Sequence, residues 1–197
     1  MPCSTFVSDY SLLSMSNKEI ILQAALQLFG EQGYDRTPTS QIAKQSGVSE
    51  GLIFRHYGNK AGLLAAIIQS GMAQIAETMQ PYAEAAADPR EAIVQHIRQS
   101  LTAIREHEAF WRMATKVRFQ AAAQDIAGAQ IEAVNQFIVK HLTDNFQRLG
   151  ASAPEQEALL LFALIDGVCL HWLQDSADYP LDAMKDLLTK KYRHAQF

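Results

Sequence analysis

From Ser16 onward the apolar positions recur at three- and four-residue intervals, and this pattern predicts an almost wholly helical chain. Ile21, Ala24, Ala25, Leu28 and Phe29 share one helical face. Ser16 with Glu19 three residues on has capping-box spacing, and Gly33 ends the segment. Thr37-Pro38 predicts an N-cap followed by a first-turn proline, opening a short helix to about Gln45 that buries Ile42 and Ala43. Ser46-Gly47-Val48 predicts a tight turn with Gly47 at positive φ. Ser49 then caps a second short helix through about His56, Gly58-Asn59 breaks it, and Asn59 caps a longer helix from Lys60.

Later starts are equally legible. Asp88-Pro89-Arg90-Glu91 and Ser152-Ala153-Pro154-Glu155 both join a capping side chain, a proline and a carboxylate. Gly150 stops the helix before the second of these. Helices are expected near Glu108–Phe119 and Asp125–Leu149. A last helix opens at Tyr179-Pro180 and ends in Lys190, Lys191 and Arg193, which suit the negative end of its dipole. No strand signal competes: the one Asp-Gly, Asp166-Gly167, lies inside an apolar helical stretch. Residues 1–15 lack any period and read as a disordered tail or as a start misassigned ahead of Met15.

Composition narrows the class. The 197 residues are 48% apolar and 19% charged, enough to bury a sizeable core. Cys3 and Cys169 cannot build a disulfide framework or a zinc cage, and nothing implies a cofactor or a metal. The longest unbroken apolar run, Ala158 to Ile165, is far short of the roughly twenty residues that span a bilayer. A soluble cytoplasmic protein is expected. The net charge of −4 is uneven. Within residues 15–60, Lys18, Arg36, Lys44, Arg55 and Lys60 outnumber Glu19, Glu31, Asp35 and Glu50. An acidic partner would therefore meet this segment, although the bias is small.

Two short helices joined by a tight glycine-containing turn form the helix-turn-helix pattern, in which the second helix presents its N-terminal part to the DNA major groove. Its outward positions here are Glu50, Gly51, Phe54 and Arg55, and its inward ones Val48, Leu52 and Ile53. Arg55 can bond guanine through both arms of its guanidinium, Glu50 can accept from a cytosine amino group, and Phe54 can pack on a thymine methyl. Gly51 lets the backbone approach. Tyr57, Thr37, Thr39 and Ser40 offer hydroxyls to phosphate, and Lys60 sits at a helix N-terminus, where an anion is favoured. A structural helical hairpin without DNA binding is the plainer alternative.

Residues 18–64 resemble the DNA-binding domain of the tetracycline-repressor (TetR) family. The resemblance rests on Ile21-Leu22, Ala24-Ala25, Leu28-Phe29, Gly33-Tyr34, Thr37, Ile42-Ala43, Gly47-Val48-Ser49, Gly51, Phe54, His56-Tyr57, Lys60 and Leu63-Leu64. It implies an all-α protein: a three-helix helix-turn-helix DNA-binding domain over 16–62, then a helical effector-binding and dimerisation domain over 63–197. The function implied is a ligand-responsive regulator, most simply a repressor, that binds a near-palindromic operator as a homodimer. Thr39, Glu50, Gly51, Phe54, Arg55, His56, Tyr57 and Lys60 carry over as DNA-binding positions, and Ser49 is a further candidate. Departures are Pro38, Phe54 in place of the common Tyr, and Ala61-Gly62 in place of a charged pair, which weakens that helix start. The alternative is a helical ligand-binding or protein-interaction bundle that does not bind DNA.

For the C-terminal part, Met72, Met79, Phe110, Trp111, Met113, Phe119, Phe137 and Phe162 are candidate walls of a pocket for a largely apolar effector. Asp166 and His171 are candidates for its polar end, and Arg118 is another. Each is more simply read as core, cap or solvated group. Gly167 beside Asp166 permits close helix approach, with a buried carboxylate at a dimer face. The dimer seam is expected on helices at roughly 155–175 and 180–193. No enzyme motif is present: on a helix Asp166 and Cys169 share a face, but His171 points elsewhere, so no nucleophile–base pair forms.

Overall fold

The computed structural model describes residues 15–83 and 88–197, with the side chains of 78–83 outside the description. The tail lies outside the described residues, apart from Met15. Among them the chain forms α1 (Asn17–Gln32), α2 (Thr39–Ser46), α3 (Glu50–Tyr57), α4 (Lys60–Ala83), α5 (Pro89–Glu106), α6 (Glu108–Val117), α7 (Ala121–Arg148), α8 (Pro154–Gln174) and α9 (Leu181–His194), and no strand.

Local chemistry explains most starts. The Ser16–Glu19 capping box opens α1. Ser49 Oγ accepts from the Leu52 N–H, Asn59 Oδ1 from the Gly62 N–H at 2.8 Å, and Asp88 Oδ1 from the Arg90 N–H at 2.9 Å. Gly47 adopts the left-handed conformation (φ 68°, ψ 20°) between α2 and α3, which a side chain would strain.

Two expected caps are displaced. Thr37 does not cap α2, because Pro38 takes the N-cap position and helix begins at Thr39. Ser152 does not cap α8: Pro154 occupies the first turn, which makes Ala153 the N-cap and leaves Ser152 one residue too early. Helix α9 opens where expected, with Pro180 at its N-cap. Helix α7 starts at Ala121 rather than Asp125, since Ala121-Ala122-Ala123 are strong helix formers.

Two hydrophobic cores result. The first joins α1–α3 to the first half of α4, to α6 and to the start of α7, around Ile21, Phe29, Ile42, Ile53, Leu63 and Met113. The second joins α5, the end of α7, α8 and α9, around Ile97, Leu142, Phe146, Leu161 and Tyr192. Helix α6 runs along α1, so the helix-turn-helix segment shares its core with a helix that starts well beyond the end of α3 in the chain. Helix α8, contrary to the count of contiguous apolar residues, is long and apolar enough by composition to cross a membrane. It buries Ala158, Leu161, Ile165, Val168 and Trp172 within the second core and leaves Leu159 and Leu160 exposed.

Candidate nucleic-acid interface and internal cavity

Helix α3 is held by one face. Ile53 is fully buried, while Val48 and Leu52 are half-buried against the first core. Burying Ile42 and Ile53 contributes about 1.5–3 kcal/mol each. The opposite face presents Gly51, Phe54, Arg55 and His56 to solvent, with Phe54 44% exposed. Arg55 has no ion pair or hydrogen bond among the described residues, so its donors are free. A Cβ on Gly51 would meet nothing closer than the Ser49 hydroxyl, 4.0 Å away, so packing within the chain does not require glycine there.

Several expected phosphate donors are committed inside the protein. Thr37 is fully buried, and its hydroxyl donates to the Gly33 carbonyl at 2.8 Å. It secures the end of α1 and is not a surface group. The Tyr57 hydroxyl donates to the Lys18 carbonyl at 2.7 Å, and its pKa is pushed up to about 12 by burial and then by Glu19. Its single proton is therefore used in tying α3 to α1. Thr39 donates to the Glu50 carboxylate, linking the starts of α2 and α3 and occupying part of the acceptor expected to read cytosine. Ser40 and Ser49 remain exposed, Ser49 as the cap of α3. His56 is exposed and tilted against Tyr57, with ring centroids 6.2 Å apart.

Lys60 is half-buried at the start of α4. Its ammonium lies 4.3 Å from the centroid of the Tyr34 ring and donates to the Asp35 carbonyl at 3.4 Å. Partial burial lowers its pKa, with Asp35 opposing that shift. Gly62 does not weaken this start. A Cβ there would collide with the Tyr57 carbonyl, so glycine is what lets α4 begin against the end of α3. Gln120, between α6 and α7, completes the junction: its side-chain oxygen accepts from the Asp35 N–H at 3.1 Å, and a Cβ on Gly33 would strike its amide nitrogen.

Helices α4 to α8 enclose a cavity of about 210 Å³. Of the expected wall residues, Met72, Phe110, Trp111, Phe162 and Asp166 line it. Met113 does not: it is fully buried in the first core, beneath the close α1–α6 contact at Gly30. Phe119 and Phe137 do not either, being 81% and 70% exposed on the outer surface. His171 is exposed and stacks on Tyr179 outside the cavity. The side chain of Met79 lies outside the described residues. Asp166 is not buried; it is half exposed and paired with Arg118 at 3.3 Å, and Gly167 packs against nothing within 4 Å. The Phe110 ring lies against α4 where Gly71 leaves room for it.

The pattern missed Ile68, Ile75, His96, Ser100 and Asn135, which also line the cavity. His96 and Ser100 stand four residues apart on α5, with Nε2 and Oγ 3.5 Å apart. That spacing places them on one face, but nothing local says the face borders a void. Burial, with His141 adding to it, lowers the His96 pKa to about 4 and keeps the ring neutral. Burial, then Asp166, pushes the Cys169 thiol up to about 12.

Residues 21–67 match the model of bacterial regulatory proteins of the tetR family, and residues 89–194 match that of the BetI-type transcriptional repressor C-terminal domain. The HTH-type transcriptional regulator BetI of Stenotrophomonas maltophilia is 28% identical over 172 residues, covering 81% of each chain. Two other curated relatives align over only 38% and 42% of their own length. The structure of FadR from Bacillus subtilis in complex with stearoyl-CoA superposes with a TM-score of 0.74 at 20% identity, covering 89% of this chain and 97% of that one. A transcriptional regulator from Saccharomonospora viridis in complex with choline gives 0.66 at 21% identity, covering 90% and 95%. With both its helix-turn-helix segment and its C-terminal helices matched, the chain belongs to the tetR family of bacterial regulatory proteins.

Proposed function

We propose that the chain is a cytoplasmic, ligand-responsive repressor that grips a near-palindromic operator as a homodimer. The observation that carries this reading is the outer face of α3, where Arg55 stands free of any acidic partner beside the bare backbone of Gly51. Arg55 reads a guanine, while Phe54 and His56 pack on the groove wall and Ser40, Ser49 and the remaining donors of Lys60 set register on phosphates. Leu159 and Leu160 on α8 and Leu187 on α9, all exposed, form the dimer seam. The seam places the two α3 helices about 34–36 Å apart, one helical turn of DNA.

The effector enters the cavity bounded by α4. Filling it displaces Phe110 from its seat at Gly71, and α4 carries the displacement to Gly62 and the end of α3. Couplings of this kind are typically about 1–3 kcal/mol.

Selection of bound duplexes from a random pool, with Arg55→Ala and a salt series alongside, tests the reading. The expected result is a two-fold-symmetric site whose binding weakens with salt and is lost in Arg55→Ala. Absence of enrichment at low salt, by protein refolded free of co-purified ligand, would overturn it.

A further inference from the structure

We propose that the cavity selects an uncharged effector, a compact and largely apolar molecule with a neutral oxygen at one end, and discriminates against both carboxylates and quaternary ammonium ions. This inference rests on the reading of the cavity as the effector site.

The argument begins with the charges. Among the described residues that line the cavity, only Arg118 and Asp166 carry formal charge, and they neutralise each other. One guanidinium nitrogen of Arg118 lies 3.3 Å from each Asp166 oxygen. The two side chains come from the α6–α7 turn and from α8, and are 41% and 48% exposed. A ligand carboxylate could reach the remaining donors of Arg118 only beside the Asp166 anion, which would set two anions side by side. An ammonium could reach Asp166 only beside the Arg118 cation. Each ion thus loses water and gains a like-charged neighbour beside an existing pair. The other titratable wall groups add no charge, because His96 is kept neutral and the Cys169 thiol protonated.

What the wall offers instead suits a neutral group. Ser100, Thr115 and Asn135 supply a few uncharged polar positions among aliphatic and aromatic side chains. Trp111, itself part of the wall, has its indole N–H buried without a hydrogen-bond partner. A buried unpartnered donor is costly, and an acceptor oxygen on the ligand would relieve that cost. Size restricts the choice further. About 210 Å³ lies below the roughly 300–1,000 Å³ usual for pockets that hold drug-sized ligands.

Calorimetric titration of the full chain at neutral pH with phenylpropanol, phenylpropanoate and phenylpropylammonium holds the apolar skeleton constant and varies only charge. Choline is the fourth ligand. The alcohol is expected to bind at least about tenfold more tightly than either ion, a difference of about 1.4 kcal/mol, and choline to give no heat. Either phenylpropyl ion, or choline, binding as tightly as the alcohol overturns the proposal. Binding by none of the four to folded protein overturns the effector-site reading itself and this inference with it. The paired variants locate the cause. Asp166→Asn, which frees Arg118, should raise phenylpropanoate affinity about tenfold, and Arg118→Met, which frees Asp166, should do the same for phenylpropylammonium. No change in preference in either folded variant would show that the ion pair does not set the selectivity, and would overturn the mechanism proposed.

Discussion

On the outer face of α3, Arg55 is exposed with no carboxylate to hold it, whereas at the cavity Arg118 is bound to both oxygens of Asp166. The same side chain thus has opposite uses in the two regions. A free guanidinium keeps its donors for a polyanion, and its binding is steeply salt-dependent. A paired one shapes the rim of a pocket without offering it net charge. The neighbouring groups follow the same division. Around α3, Thr37, Thr39 and Tyr57 spend their hydroxyls on holding the helices together, which leaves few uncommitted donors on its outer face. Around the cavity, an indole N–H is left unsatisfied by the protein.

The largest expected effect comes from forcing charge into the neutral region. The unfolded chain protonates His96 near its ordinary pKa of 6.5, but the folded chain resists until about 4. Stability is therefore complete above pH 6.5 and falls as the pH drops toward 4, by about 3 kcal/mol across that window. Urea denaturation at several pH values should show this slope flattened in His96→Gln; an identical slope in the variant would remove His96 as its cause.

Next in size is a change at the junction of the two regions. Gly62→Ala sets a methyl group against the Tyr57 carbonyl and should cost about 1–3 kcal/mol of stability, with weaker duplex binding. An unchanged urea midpoint would mean that α4 can shift away freely. Gln120→Ala removes the acceptor of the Asp35 N–H, whose own carbonyl holds Lys60. A loss of about 1 kcal/mol in duplex affinity is expected, read by fluorescence anisotropy; unaltered affinity would detach this turn from the DNA face. The smallest effect is that of Tyr57→Phe. It should lower the urea midpoint by about 1 kcal/mol or less and leave the duplex affinity of the folded protein unaltered, because the hydroxyl serves Lys18. A fall in affinity instead would return Tyr57 to the phosphate contacts.

How legible each region was in the sequence follows from how it is built. The helix-turn-helix segment is contiguous, and its signals act within a few residues: the Ser16–Glu19 box, Gly47 at positive φ, Ser49 and Asn59 as caps, and Ile42 and Ile53 as the buried pair. Side-chain direction was less legible. Thr37 and Tyr57 read as surface hydroxyls: the Lys18 acceptor of Tyr57 becomes available only when α1 packs beside α3, and the Gly33 acceptor of Thr37, though four residues away, is met only through the path of the turn after α1. The cavity was read least well. Apolar bulk alone selected Met113, Phe119 and Phe137, yet one lies deep in the core and two face solvent.

The sequence by itself determined that the chain is helical, where most turns fall, which two short helices form the helix-turn-helix and which family the chain belongs to. These features depend on periodicity, caps and glycines, whose physics spans one or two turns of chain. Only the tertiary structure decided which residues border the cavity, that Arg118 meets Asp166 across 48 positions, and that Gly62 and Gln120 join the helix-turn-helix segment to the rest. A void, a cross-chain ion pair and a close backbone approach exist only once separate helices are packed, since each depends on the distance between segments that no local pattern encodes.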